Sequence, residues 1–418
     1  EVFDVTETTC LIRPEALDPE FTKPISQTII EAAEECPVEV IKFDAIEIEV
    51  PDEPAVPAET VGAAAATAQF LACARAAQSI VAQAGRSTLD VLVLGGTGFI
   101  GPHLVRYAIG RGHRVTIFTR GRHEAELPNE VVRLQGDRNG QLDSLKGKRW
   151  DVVVDDSATN PSWVVQSTEL LQSSVGAYLF TSSTGVYYPY LERGIDESRL
   201  VRYEAQNAKD PSESFGVAKS QCERQVFKAF GDRGIVVRPT YIVGPGDTTD
   251  RFPYWPVRLA KGGEVLAPGR PDDPMQVIDV RDLAEFMVRL LETGKRGIYN
   301  VAGPSDLLTA RRFYDLAAKA IDANVHYTYV DDYDFLAAHG IDEAIPWALL
   351  RGNDYGMMSV KSSKAIAAGL TFRPLRDTMR DTLAWWPTVP EARRAKPRFT
   401  IQPETEAKAL ADWHALKG

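Results

Sequence analysis

The chain has 418 residues, enough for two or three domains with a sizeable core. It carries 58 acidic and 47 basic side chains, a net charge of −11, which argues against tight nucleic-acid binding, because that needs many phosphate contacts. No run of 18 or more uncharged apolar residues occurs, so no transmembrane helix is expected. The longest candidate, 61–85, is mostly Ala and holds Arg75 and three Gln.

The negative charge is concentrated at one end. Residues 1–60 hold 16 acidic and 3 basic side chains, whereas the remainder holds 42 and 44. An acidic lobe of this kind suits a basic protein partner, or keeps the chain in solution. Residues 1–50 read as a small acidic α+β segment, with two short β-rich runs flanking a helical one at 25–35. Residues 51–60 are a Pro-rich acidic linker, and Thr60 is placed to cap the Ala-rich helix after it, so linker and helix cover 51–88. Because the chain opens on Glu1, residues upstream are expected. Cys10, Cys36, Cys73 and Cys222 form no C-x-x-C pair. They imply no disulfide framework or metal site, and favour a reducing compartment such as the cytoplasm.

At 91–101 an apolar strand, Val-Leu-Val-Leu, runs into Gly95-x-x-Gly98-x-x-Gly101 and then into an amphipathic helix. Gly95 and Gly98 allow a tight turn and close approach of backbone to phosphate. Gly101 lets the helix pack closely, and the helix N-terminus offers free N–H groups to a pyrophosphate. From Leu89 onward strands are predicted at 89–94, 114–119, 131–134, 151–155, 177–182, 234–237 and 297–301. Helices are predicted between them, notably at 99–111, 162–174 and 215–230. This rhythm means an α/β fold, a doubly wound parallel Rossmann sheet with helices on both faces. Its core spans about 89–240 and 272–302. A smaller C-terminal substrate lobe covers about 241–271 and 303–390, with helices at 253–261, 310–322, 362–368 and 375–385. Residues 391–418 read as a charged tail ending in a helix with Trp413.

Residues 178–190, Tyr-Leu-Phe-Thr-Ser-Ser-Thr-Gly-Val-Tyr-Tyr-Pro-Tyr, and 215–219, Phe-Gly-Val-Ala-Lys, complete a set with the glycine turn. Over roughly 89–390 the chain resembles the extended short-chain dehydrogenase/reductase family, in its NAD-dependent epimerase/dehydratase branch. Gly136-Asp137-Arg138, Arg238-Pro239-Thr240 and Ile278-Asp279-Val280 support the likeness. The resemblance implies that Ser183 holds the substrate oxygen and that Lys219 binds the nicotinamide ribose. It also implies that Lys219 lowers the pKa of a neighbouring phenol that moves the proton. The family's Tyr position is occupied here by Phe215. Four readings stay open: an engineered Tyr→Phe exchange, a natural enzyme using another acid (Tyr187, Tyr188 or Tyr190), a relative that binds cofactor without turnover, and a displaced motif alignment.

The cofactor-binding set is Gly95, Thr97, Gly98, Phe99, Ile100, Gly101, Arg120, Asp137 and Lys219. The second strand ends on Arg120 and Arg122 with no acidic residue. These arginines could pair with a 2′-phosphate, which favours NADP over NAD. Asp137 is expected near the adenine, and Asp155-Asp156 either near the reacting centre or as a cap on the next helix. Thr184, Tyr187, Tyr188, Arg251 and Arg270 are the substrate candidates. The pocket is expected to close with Pro239–Asp250 and Arg251–Met275, and Phe252, Tyr254, Trp255 and Tyr190 form either its aromatic wall or core packing. Sugar-nucleotide enzymes of this kind usually carry Arg where Met275 stands, so a different small molecule is expected.

The function expected is therefore an NADP-dependent oxidoreductase or epimerase acting on a hydroxyl or keto carbon. The alternative is a Rossmann scaffold without turnover that binds RNA or a protein, since the branch lies near chloroplast stem-loop RNA-binding proteins. A homodimer through 215–230 would suit such a fold. Finally, Glu34-Glu35-Cys36-Pro37 and Glu1-Val2-Phe3-Asp4-Val5 resemble the C-terminal part of a single-cluster bacterial ferredoxin. Its first three cysteines would precede residue 1. Cys36 supplies one ligand and Cys10 none, so the chain by itself supports no iron–sulfur cluster.

Overall fold

The computed structural model describes residues 3–5, 10–12 and 88–418, except 157. The chain divides into two units, Glu1–Ser87 and Thr88–Gly418. In the first, β1 (Phe3–Val5) pairs antiparallel with β2 (Cys10–Ile12), Phe3 opposite Ile12 and Val5 opposite Cys10. The ferredoxin-like helix, Cys36, the linker and the Ala-rich helix lie outside the described residues.

The second unit is built on β3 (Asp90–Leu94), α1 (Ile100–Gly110), β4 (Arg114–Thr119), β5 (Val132–Gln135), β6 (Trp150–Asp155), α2 (Pro161–Leu171) and β7 (Val175–Thr181). It continues with α3 (Pro211–Phe230) and β8 (Gly234–Pro239). The short strand β9 (Ile242–Val243) leads to α4 (Tyr254–Leu259), β10 (Gly263–Pro268), β11 (Pro274–Asp279), α5 (Val280–Glu292) and β12 (Gly297–Val301). Seven parallel strands form one sheet in the order β12-β8-β7-β6-β3-β4-β5. All seven predicted strands are in it. After β5 the chain crosses back over β3 to β6, so the strand order reverses beside β3, and a crevice opens at the carboxyl ends of β3 and β6.

Side-chain alternation explains why the sheet needs two covers. Val91 and Val93 face α1 and α5, meeting Leu104, Val105, Phe286 and Met287. Leu92 and Leu94 face α2 and α3, meeting Val164, Leu171, Cys222 and Val226. A strand buried on both sides has no polar face, hence its unbroken apolar run. α3 starts four residues earlier than expected, because Pro211 occupies its first turn and the Asp210 side chain accepts from the N–H groups of Ser212 and Glu213.

The lobe adds β13 (Gly303–Thr309), α6 (Ala310–Ala320), β14 (Val325–Val330), α7 (Tyr333–Ala338), α8 (Ser363–Ala367), α9 (Leu375–Trp385), α10 (Glu391–Ala395) and α11 (Pro403–Lys417). The helices predicted here are present, but β10, β11, β13 and β14 were not expected. β10 ends on Pro268, β11 begins on Pro274 and β13 carries Pro304, so these three read as loop, whereas β14, Val-His-Tyr-Thr-Tyr-Val, has no proline beside it. Phe252, Tyr254 and Trp255 are fully buried in the lobe core with Phe313 and Tyr314, which decides for packing over an aromatic pocket wall. The terminal stretch also packs. Trp413 and Leu410 are buried in the same core, and Glu406 accepts from Arg258 Nε (2.6 Å) and Leu266 N (3.1 Å). Among the described residues no helix is long and apolar enough to cross a membrane.

One buried network spans the sheet's far half. Arg238 on β8 donates from Nε and Nη2 to the two carboxylate oxygens of Glu223 on α3 (2.9 and 2.6 Å). It also donates from Nη1 to the Tyr187 hydroxyl (2.7 Å), which in turn donates to Asn300 Oδ1 on β12 (2.8 Å). Both charges are almost fully enclosed. Removing one partner strands the other in low dielectric. Glu223→Ala is therefore expected to cost roughly 3–5 kcal/mol of unfolding free energy in a urea titration, far more than any exposed Glu→Ala.

Candidate active site

The glycine turn sits at the end of β3. Gly95 (φ 121°) and Gly96 (φ 95°) take the left-handed conformations that favour glycine. The Gly95 N–H donates to Phe118 O on β4 (3.0 Å). A Cβ on Gly101 would overlap the Gly96 backbone, so this glycine is required for α1 to dock on the turn. Gly98 faces open space. The first turn of α1 has neither a side-chain cap nor an acidic residue, which leaves its N–H groups directed at whatever lies over the turn.

Two cavities meet here. The first, about 370 Å³, is lined by the turn residues Gly95, Thr97 and Gly98, by Phe99 and Ile100, by Arg120, Arg122 and His123 after β4, and by Asp137 and Arg138 after β5. Arg120 and Arg122 are exposed, and neither guanidinium joins an ion pair among the described residues. Arg138 is buried and pairs bidentately with Asp155 (2.5 Å each), whose carboxylate also accepts from Tyr178 OH (2.7 Å). Asp155 is thus a floor beneath the cavity, neither acid nor helix cap. The cap on α2 is Asn160. Asp156 lines both cavities and accepts from the Gly96 N–H (3.3 Å).

The second cavity, about 620 Å³, is lined at one end by Ser183, Thr184, Gly185, Phe215 and Lys219. Ser183 follows β7 and caps the short 3-10 turn Thr184–Tyr187, its Oγ accepting from Gly185 N (3.0 Å). Lys219 is 6% exposed and donates from Nζ to the carbonyls of Ala158 (2.8 Å) and Thr181 (2.9 Å). Burial pulls its ammonium below the ordinary lysine pKa, against the opposing pull of Asp155. The Phe215 ring is 42% exposed toward solvent, its centroid 6.0 Å from Lys219 Nζ.

Residues 91–302, which carry both the glycine turn and the Ser/Lys pair, match the family whose description is "NAD dependent epimerase/dehydratase family". The chain belongs to that family. It is similar to the chloroplast stem-loop binding protein of 41 kDa b of Arabidopsis thaliana (28% identity, 52% of this chain), of which it spans 59%. It is also similar to a dTDP-4-dehydro-6-deoxy-D-allose reductase of Streptomyces sp (30% identity, 53% of this chain, 77% of the relative). In fold it matches a UDP-glucose 4-epimerase structure (TM-score 0.56, 16% identity, 72% of this chain, 98% of that one). The Bordetella bronchiseptica enzyme WbmH in complex with NAD+ gives a TM-score of 0.52 (17% identity, 72% and 99% coverage).

Within this epimerase/dehydratase domain the other expected site residues separate. Tyr188 lines the second cavity, its hydroxyl donating to Asp210 (2.7 Å) and accepting from Asn353 (3.0 Å). Burial, then Asp210, push its pKa up. Tyr190 lines the cavity too, and burial raises its pKa, with a hydrogen bond to Thr184 opposing. Tyr187 does not reach the cavity, being 3% exposed and spent on Arg238 and Asn300. Arg251 lines it and lies over the Tyr241 ring (5.3 Å). Arg270 does not. It is exposed and stacks on Tyr333 (4.5 Å). Met275 is buried in the lobe core.

The far wall differs from expectation. Tyr241, Asp247 and Thr249 come from the expected 239–250 stretch, but nothing from 252–275 lines it, and Glu343, Asp354 and Met357 do. Burial raises the pKa of Asp354, with Asp210 adding to it, and burial likewise raises Asp247. No local motif marks Glu343, Asp354 or Met357. Among the described residues no cluster of metal-ligating side chains occurs.

A side chain at Gly101 would overlap the Gly96 backbone and push α1 off the turn, whose close approach to α1 a dinucleotide site of this family needs. Gly101→Ala is expected to abolish dinucleotide binding in calorimetry and to lower the thermal midpoint, whereas Gly110→Ala, which meets open space on the same helix, leaves both unchanged.

Proposed function

We propose that this domain is an NADP-dependent oxidoreductase or epimerase acting on a hydroxyl or keto carbon of a small molecule. The observation that carries the proposal is continuity. Phe99, Ile100, Asp156 and Ile242 line both cavities, so a dinucleotide laid over the glycine turn would end beside Ser183 and Lys219. A nicotinamide cofactor would supply the hydride chemistry. Ser183 would hold the substrate oxygen, and Lys219 would bind the ribose and supply positive charge. Thr184, Tyr188 and Arg251 would contact the rest of the substrate. Asp156, Asp247, Glu343 and Asp354 outnumber Lys219 and Arg251 around this cavity, and Met275 replaces the usual pyrophosphate arginine. Both features disfavour a nucleoside-diphosphate sugar and suit a substrate with at most one anionic group, met by Arg251.

Phe215 keeps the ring of the family's catalytic residue without its proton. With that proton carrier restored, Phe215→Tyr is expected to raise turnover by about 10²–10⁴ while cofactor affinity stays constant. Unchanged turnover in a substrate-screened assay would assign proton transfer elsewhere. Arg120 and Arg122 support NADP, because a 2′-phosphate would find two guanidinium groups and no repelling carboxylate. Arg120→Ala should weaken NADP binding about tenfold or more and leave NAD binding unchanged. Mass spectrometry of the molecule released on denaturing the protein would test occupancy directly.

Phe215 also supports a second reading, a scaffold that binds RNA or a protein without turnover, as one relative's name describes stem-loop binding. A salt-dependent gel shift together with a failure to bind either dinucleotide would favour it. We further propose that the acidic, ferredoxin-like 1–50 segment docks a basic protein partner, that the domain dimerises through α3, and that the protein works in the cytoplasm.

A further inference from the structure

Arg251 enters the cavity from the loop Gly244–Arg251, and this loop is held from behind by the chain's C-terminal segment. Arg393 on α10 donates from Nη2 to the backbone carbonyl of Asp247 (2.7 Å) and to the Asp250 carboxylate. The Arg398 N–H donates to the other oxygen of Asp250 (3.0 Å), and its guanidinium to the carbonyl of Thr248. Asp250 is completely buried and sits at φ 64°, a left-handed conformation that a non-glycine residue keeps only when its surroundings impose it. Those surroundings are residues 393–398.

From Asp250 the hold passes forward. Asp247 Oδ1 accepts from the Thr249 N–H (2.7 Å) and hydroxyl (2.6 Å), and Thr249 Oγ1 accepts from Arg251 N (3.3 Å) and Nε (3.2 Å). The segment is itself moored, since Phe399 packs on Tyr254 and Trp386, and Ile401 is buried in the lobe core. We infer that residues 391–401 form a strap whose Arg393 is a positioning residue. By fixing Asp250 and Asp247 it aims the Arg251 guanidinium into the cavity, where it recognises an anionic group, carboxylate or phosphate, on the substrate. The last step rests on the proposed role of Arg251; the strap itself does not.

The test uses the full chain. Phenylglyoxal labels arginines, peptide mass mapping reads Arg251, and malonate serves as the protecting anion. Hydrogen exchange of peptide 247–251 is followed in parallel. In Arg393→Ala the loop is expected to exchange at least tenfold faster, with β3, β6 and β7 unchanged and dinucleotide affinity intact, and malonate protection of Arg251 is lost. Arg393→Lys, which keeps charge and donors, restores protection. Asp250→Asn, which keeps a residue tolerant of the left-handed conformation, reproduces the loss should Arg393→Ala fold poorly. Unchanged loop exchange, or faster exchange spread equally through the domain, overturns the strap. Faster loop exchange without malonate protection in the unmodified protein retains the strap and overturns the anionic role of Arg251.

Discussion

The bond between Glu223 and Arg238 sets the geometry on which the site depends. Glu223 lies one helical turn beyond Lys219, on the same face of α3, and its carboxylate also accepts from the Ser182 hydroxyl (2.5 Å) at the end of β7. A helix pinned at that point cannot rotate about its axis. Lys219 is therefore delivered to the carbonyls of Thr181 and Ala158, and Ser183 follows directly from the pinned strand end. Such a pair contributes little net stability compared with an apolar replacement, so its contribution here is placement.

A second buried pair serves the cofactor end in the same way. Asp155 closes β6 and takes Arg138, Tyr178 and the Ala158 N–H, joining the ends of β5, β6 and β7 under the crevice. Its negative charge also supports the Lys219 ammonium. The two networks hold the strand ends rigid, while the lobe facing them is built from aromatic packing. The cavity thus has one wall set by directional hydrogen bonds and another set by shape. Loop Gly244–Arg251 belongs to the second wall, yet it is tied by charge, as a glycine-rich turn needs when it must present a specific side chain.

How far the sequence announced this depends on locality. The seven sheet strands were legible because each is a short segment rich in β-branched, aliphatic or aromatic residues, unbroken in the central β3 and alternating with polar residues in the edge strand β5. Gly95, Gly98 and Gly101 were legible because their spacing is itself the geometry of the turn. Ser183, Phe215 and Lys219 could be picked out through resemblance and stand together in the structure. What failed was non-local. Tyr187 and Tyr188 are adjacent in sequence, yet one is consumed by Arg238 and the other lines the cavity, and nothing in the string separates them. Arg251 and Arg270 looked equivalent, but only the first has a loop turned inward by Asp250. Glu343 and Asp354 are brought to the cavity from 160 and 171 residues beyond Ser183 along the chain, a distance over which no local pattern carries.

Phe215 is the point where packing and chemistry part. A Cβ on Gly185 would press on its ring at 3.0 Å, and a Cβ on Gly216 would overlap the Gly185 carbonyl, so the 3-10 turn and α3 touch through two glycines and leave a slot shaped for an aromatic ring. That slot exists whether or not the ring carries a hydroxyl. Lys219 gives the complementary evidence. Its ammonium is buried against the carbonyls of Ala158 and Thr181, and burial depresses its pKa, an arrangement that costs folding free energy. A fold with no use for that charge would be more stable with Leu or Met in its place. The charge is retained in a chain that lacks the phenol it would ordinarily activate. In the proposed function, the ribose of a bound dinucleotide is the contact that would use it.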